Sequence, residues 1–212
     1  MSTQWSGGLL WSFSSKGIIV LIAPMRDGRM LLRHELVFTG LSPEELAPIY
    51  RAKLREWQIA SVSSLSADPE IFPKAHARGE TVSESLRRLR LPVRKGDPDR
   101  LAGWMRLRAW LQLLPRQGSP RLTPSLIVHP DCVYTIRTLP VLVQDPANLD
   151  DVSAQIEEYP ARALALWAMS RPAPLAEPVK PPPGPNTWGY HLKDVFAPPK
   201  KGILGSDLVD KR

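Results

Sequence analysis

Two long apolar runs near the amino terminus, "GIIVLIAPM" (Gly17 to Met25) and "MLLRHELVF" (Met30 to Phe38), restrict the available folds more than any other feature. Asp27-Gly28 lies between them, a dipeptide suited to the tight hairpin turn in which glycine takes positive φ at no steric cost. The pattern predicts two antiparallel strands. Ahead of them "LLWSF" (Leu9 to Phe13) reads as a short first strand, making a three-stranded meander. The longest apolar run is far too short to span a bilayer, and "MSTQWSGG" lacks the charged start and apolar centre of a signal peptide. The expectation is a chain with no membrane segment.

Helices alternate with further strands beyond the meander. In "LSPEELAPIYRAKLREW", Ser42 caps a helix, Pro43 suits its first turn, and Glu45 completes a capping box. Leu46, Ile49, Tyr50, Leu54 and Trp57 then recur at helical spacing. "IASVSSLS" (Ile59 to Ser66) reads as a strand that runs into the loop "ADPEIFPKAHARGE" and places Asp68 at its carboxyl end, a common position for chemistry. "TVSESLRRLRL" is a second helix with Thr81 and Glu84 as its capping box, and "PVRKG" a brief extended link. "DPDRLAGWMRLRAWLQLL" predicts a third helix, capped by Asp97 with Pro98 in the first turn. "TPSLIVHP" reads as a strand and "DCVYTIRTLPVL" as a short helix leading into an edge segment. The acidic stretch "DPANLDDVSAQIEEYP" then precedes a last helix, "ARALALWAM". This order argues an α/β fold, a mixed sheet flanked by helices.

Composition narrows the setting. The 212 residues fit one domain over residues 1–172, followed by a proline-rich tail, 173–212, that reads as an extended docking arm. Its Trp188, Tyr190, Leu192 and Phe196 would dock against the domain or a neighbour. Net charge is +7, a balance that fits contact with nucleic acid. The single cysteine, Cys132, excludes an intrachain disulfide and a cysteine metal cage, and points to a small buried side chain in a reducing cytoplasm. His34, His76, His129 and His191 show no ligand spacing. No Gly-x-x-x-x-Gly-Lys-Ser/Thr loop occurs, so ATP hydrolysis through that motif is excluded. Trp104 and Trp110, on a helix with Leu101, Leu107 and Leu111, are expected in the core before they are expected to stack on bases.

Taken in order, several of these segments resemble the C-terminal, RNase H-like nuclease domain of the phage terminase large subunit. That family opens with a strand ending Asp-Trp-Gly and an aromatic, where this chain reads Leu10-Trp11-Ser12-Phe13. The hairpin follows, and the family's Asp-Pro pair matches "ADPEIF" with Asp68. "DRLAGWMRLRAWL" and "LIVHPDCVYTIRTLPVL" resemble later blocks. In "EEYPARALALWAMSRP", Glu157, Glu158 and Tyr159 fall on the family's Asp-Asp-His, and Arg162 on its helix aspartate. The resemblance covers about residues 7 to 172.

The resemblance implies cleavage of DNA by two Mg2+ or Mn2+ ions held in a carboxylate cluster, since hard cations need anionic oxygen ligands. At the central position Leu10 offers no lone pair, and Arg162 brings a cation where an anion is expected, one that would pair with Asp68 or a glutamate. Asp68, Glu157 and Glu158 remain as residual catalytic candidates, with Asp68 and Glu158 the metal ligands of an active enzyme. Plainer readings stand beside these: Asp68 as a loop cap ahead of Pro69, and the glutamates as charges favoured by a helix N-terminus. Arg87, Arg88, Arg90, Arg94, Lys95 and Arg100, with Arg106 and Arg108 beyond, form a basic cluster able to hold a phosphate backbone or to be solvated helix faces. Three functions stay open. The chain is an inactive packaging module in the host cytoplasm that holds double-stranded DNA or docks a separate terminase ATPase, portal or other phage proteins through its tail. Otherwise it is an active two-metal endonuclease cutting concatemeric DNA, or a virion or assembly protein that keeps the fold.

Overall fold

The computed structural model describes residues 4–73, 79–116, 119–153 and 157–174. The expected tail therefore lies, from residue 175 onward, outside the described residues, as does His76. The meander is present as β1 (Trp5–Leu10), β2 (Lys16–Pro24) and β3 (Met30–Thr39), each antiparallel to the next, but its first strand lies ahead of the expected Leu9 to Phe13, because it is Ser6–Leu10 that pair with Ile22–Ile18 of β2. Gly28 turns the hairpin at φ +80°, and its N–H donates to the Met25 carbonyl at 3.1 Å. Asp27 accepts from the Arg29 backbone N–H at 3.1 Å.

Two parallel strands extend the meander on one side, β4 (Val62–Ala67) beside β1 and β5 (Val93–Lys95) beside β4. On the other side β8 (Leu126–Val128) runs parallel to β3. The six-stranded order is β5-β4-β1-β2-β3-β8, mixed as expected. In this sheet β2 is central and covered on both faces, which is why its sequence is apolar without alternation. Ile19 and Leu21 point to one core, Ile18, Val20 and Ile22 to the other.

The first face is closed by α1 (Pro43–Glu56) and α2 (Val82–Arg88), whose Leu46, Tyr50, Val82 and Leu86 meet Leu9, Leu36 and Leu65. Both predicted capping boxes are formed, Ser42 with Glu45 and Thr81 with Glu84. Pro69–Ile71 makes one turn of 3-10 helix between β4 and α2. The second face is closed by α3 (Arg100–Leu111), α4 (Val133–Thr138) and α5 (Tyr159–Met169). Cys132 is fully buried there, with Leu107, Trp110 and Trp167.

Helix α5 lies directly on β1. A Cβ placed on Gly8 would sit 1.9 Å from the Ala163 carbonyl oxygen, so only glycine admits the helix backbone at that distance. The Trp167 indole N–H donates to Ser6 Oγ at 3.1 Å. Ser6 and Gly8 thus meet Trp167 and Ala163, so the helix runs against the strand and its N-terminus overlies the Leu10 end.

Four further expectations about boundaries are corrected. The third helix is capped by Asp99, which accepts from the Ala102 N–H at 2.9 Å; Asp97 instead accepts from the Asp99 N–H at 2.9 Å. That helix also stops at Leu111 instead of reaching Leu114. Pro115 lacks the N–H to continue it, and Leu113–Arg116 (β6) pairs with Ser119–Pro124 (β7) in a two-stranded ribbon. "TPSLIVHP" is divided between that ribbon and β8, with the Ser125 carbonyl between them accepting from Met30 N–H at 2.8 Å. Finally, the strand expected from Ile59 begins at Val62, because Gln58 reverses the chain at φ +56° and Ile59 N–H still bonds to the Leu54 carbonyl at 2.8 Å.

Candidate functional site

Leu10 and Asp68 stand at the carboxyl ends of neighbouring parallel strands. Their predecessors Leu9 and Ala67 are register partners, and Asp68 N–H donates to the Leu9 carbonyl at 3.0 Å. Leu10 is partly buried and packs against the second core. Asp68 is 9% exposed and accepts from Glu70 N–H at 3.0 Å, capping the 3-10 turn. The register therefore places the two positions together as the resemblance requires, with hydrocarbon at one of them.

The glutamates at the N-terminus of α5 are already held by cations. Glu157 receives the Lys16 ammonium from the start of β2 and Arg137 of α4 at 3.3 Å. The Lys16 hydrogen bond is the main reason its carboxyl lies below the usual range. Lys16 and Arg137 also sit over the Tyr134 ring, 5.3 and 5.4 Å from its centre. Glu158 accepts from Arg100 Nη1 at 2.6 Å and Nη2 at 2.5 Å, while Arg100 Nε donates to Asp151 at 2.7 Å. The Trp104 indole N–H closes the group on Asp151 at 2.8 Å. Glu158 is the strongest influence raising Arg100 above the usual guanidinium range. At Asp151 burial is the largest effect and acts upward, but hydrogen bonds from Arg100, Trp104 and Val152 together outweigh it, leaving the carboxyl below its ordinary value.

Arg162 lies in the first turn of α5, where its backbone N–H bonds to the Glu158 carbonyl at 2.9 Å. Among the described residues its guanidinium forms no ion pair, so the expected pairing with Asp68 or a glutamate is not what the structure holds. Lys16, Arg137 and Arg100 hold the glutamates instead, since they reach them from strands and helices packed alongside. Among the described residues no three His, Cys, Asp or Glu side chains gather as ligands for a metal ion. A set with leucine at one position and glutamates tied to fixed cations does not fit two divalent ions.

The basic residues have divided surroundings. Arg88 is paired with Glu44 at 3.0 Å and Glu80 at 2.6 Å. Arg87 donates from Nε to the Val93 carbonyl at 3.1 Å and lies over the Phe72 ring. Arg90 follows α2 at φ +67°. Arg100 is committed to Asp151 and Glu158. Arg94 and Lys95 are exposed on the edge strand β5 and free of carboxylate partners among the described residues. Sequence reading missed Lys16, Arg137 and Asp151, which come from separate segments and carry no local motif; Trp104, expected in the core, packs against it and also holds Asp151 through its indole N–H. It also missed a cavity of about 650 Å3 at the Trp5 end of β1, lined by Arg33, His34, Lys53 and Trp57. His34 stacks on Trp57 there at 4.4 Å.

No protein-family model matches this chain, and no curated protein matches it in sequence. Solved structures do match. The large terminase of a thermophilic bacteriophage superposes with a TM-score of 0.56 and 11% identity, over 79% of this chain and 39% of its own. The complex of that terminase with ATP-γ-S gives 0.56 at 12% identity, over 78% and 39%. The nuclease domain of the P22 large terminase gives 0.51 at 8% identity, over 79% of this chain and 81% of that domain. The fold class is thus α/β, a mixed six-stranded sheet flanked by helices in an RNase H-like arrangement. More particularly, its fold is that of the nuclease domain of phage large terminases, and the chain spans 39% of the length of the thermophilic phage protein.

No helix of the described residues is long and apolar enough to cross a membrane.

Proposed function

We propose that the chain serves phage DNA packaging as a terminase-type nuclease domain that does not cut, holding double-stranded DNA beside the packaging ATPase in the host cytoplasm. One observation carries this reading: at the strand and helix ends where the fold would grip divalent ions, Leu10 offers no oxygen while Lys16, Arg137 and Arg100 engage both oxygens of Glu157 and of Glu158. The net charge of +7, with Arg94 and Lys95 unpaired among the described residues, supplies attraction for a phosphate backbone. With its cations fixed internally, the acidic end is nearly neutral and does not repel that backbone.

Two measurements test the reading. Supercoiled plasmid incubated with Mn2+ should stay intact, and Asp68→Ala should behave as the parent does. Duplex binding followed by fluorescence anisotropy should weaken linearly in log salt, with a slope of about −0.9 per phosphate neutralised. Nicking that needs Mn2+ and disappears in Asp68→Ala would establish the working endonuclease instead. Absence of duplex binding at low salt would remove the DNA-holding role.

A further inference from the structure

An electropositive site lies at the opposite end of α5 from the glutamates. The C-terminus of the helix, the start of β1 and the edge pair β4–β5 enclose a groove of about 410 Å3. Ser64, Ser66, Arg94, Lys95 and Arg171 line it, and among the described residues no Asp or Glu is in its walls. Ser66 and Lys95 are shared with an adjoining groove of about 380 Å3, where Asp97 is the one acidic wall among the described residues.

Arg171 is the unusual member. Its guanidinium is half-buried against the Trp167 ring, 5.5 Å from the ring centre, and Nη2 donates to Ser6 Oγ at 2.6 Å. Among the described residues its buried Nε has no partner and no carboxylate faces the group. Burial alone pulls it below the usual guanidinium range, so its charge is desolvated without compensation. Arginines so placed are ordinarily paired, because a guanidinium presents five donors and cannot shed its proton near neutrality. A tetrahedral dianion in the groove offsets that uncompensated charge and offers acceptors to two exposed cations and to the serine hydroxyls together, while Arg171 Nε itself is closed to solvent. A carboxylate, with one charge and planar geometry, does less of both.

We propose that this groove is a phosphate-binding site, with Arg171 as its buried anchor and Arg94, Lys95 and Ser66 completing the shell. It stands apart from the carboxylate end of the sheet and is independent of whether that end cuts DNA. The phosphate is either free or part of a phosphodiester backbone, and the same side chains would recognise both.

The test uses the full chain with inorganic phosphate, titrated against chloride at constant ionic strength and followed by calorimetry and thermal melting. Wild type should show saturable binding. Arg171→Gln should weaken it at least tenfold, and the exposed double variant Arg94→Gln/Lys95→Gln should do the same without threatening the fold. If both variants also weaken binding of a short duplex, the groove holds a phosphodiester. If they leave duplex binding unchanged while phosphate binding falls, it holds a free phosphate group. No phosphate effect in wild type beyond that of chloride, or undiminished binding in the double variant, overturns the proposal.

Discussion

Replacing Arg100 by glutamine removes the one cation shared by Asp151 and Glu158. Its side chain is 27% exposed, and those of its partners 23% and 21%. Cutting one partner from a buried ion pair costs about 3–5 kcal/mol, whereas exposed pairs are worth about 0.2–1 kcal/mol. A three-member group at this depth falls between, at about 2–3 kcal/mol, because two half-buried carboxylates are left facing each other. For a domain of this size that is a fall in Tm of about 5–10 °C. Urea denaturation at pH 7 should give the loss directly. The pH dependence carries its own sign. Asp151 has a folded carboxyl below its ordinary value, so its contribution is present above the unfolded value and is lost as pH falls through the folded one. The gap between wild type and Arg100→Gln is therefore widest near neutrality and narrows as the medium turns acidic below about pH 4. Adding Glu158→Gln to Arg100→Gln should recover part of the loss, since one of the opposed charges is gone. A change under about 0.5 kcal/mol at pH 7, the level of an exposed pair, or a gap unchanged in acid, would refute the view of Arg100 as the internal counter-ion.

Other consequences are as direct. Gly8→Ala should cost about 3 kcal/mol or prevent folding, because its Cβ would overlap the Ala163 carbonyl at 1.9 Å and α5 cannot retreat without leaving the sheet; circular dichroism melting reads this. Burial, with the Arg33 charge beside it, pushes the His34 imidazole down to about 4. Its contribution to stability should be complete above about pH 6.5 and fall away toward pH 4, and a His34→Gln variant should flatten that slope in urea titrations. Burial pushes the Cys132 thiol up to about 12, so a disulfide reagent at pH 8 should modify it only after denaturant is added.

Local chemistry was the part of this fold readable in the sequence. The Asp27-Gly28 turn and the Ser42 and Thr81 capping boxes involve partners within four residues, and all three formed as read. The third helix was misjudged at both ends for a related reason. Asp97-Pro98-Asp99 offers two caps, of which Asp99 takes the helix while Asp97 accepts from the Asp99 N–H, and the far end gives way to a ribbon whose partner strand lies further along the chain. The likeness to the terminase nuclease fold was legible because the order of segments survives at 8–12% identity. The site was half legible. Asp68 could be placed from its strand end and Leu10 from the resemblance, but the cations that hold Glu157 and Glu158 come from 141, 20 and 58 residues away in sequence, and no spacing rule reaches so far. Arg171 stayed unseen because its interest lies in a missing partner, and a string of letters does not show what fails to touch.

The seating of α5 on β1 also sets a schedule for the ribosome. The first strand leaves the exit tunnel long before the helix that covers it, and at about 5–20 residues per second the interval is about 8–30 s. Throughout it the glycine-paired face of β1 and the inner side of β2 stay uncovered, a sticky surface with no lid of its own. Newborn chains of this protein should thus lean on chaperones until Met169 is translated, and any premature stop before that codon yields an aggregating fragment.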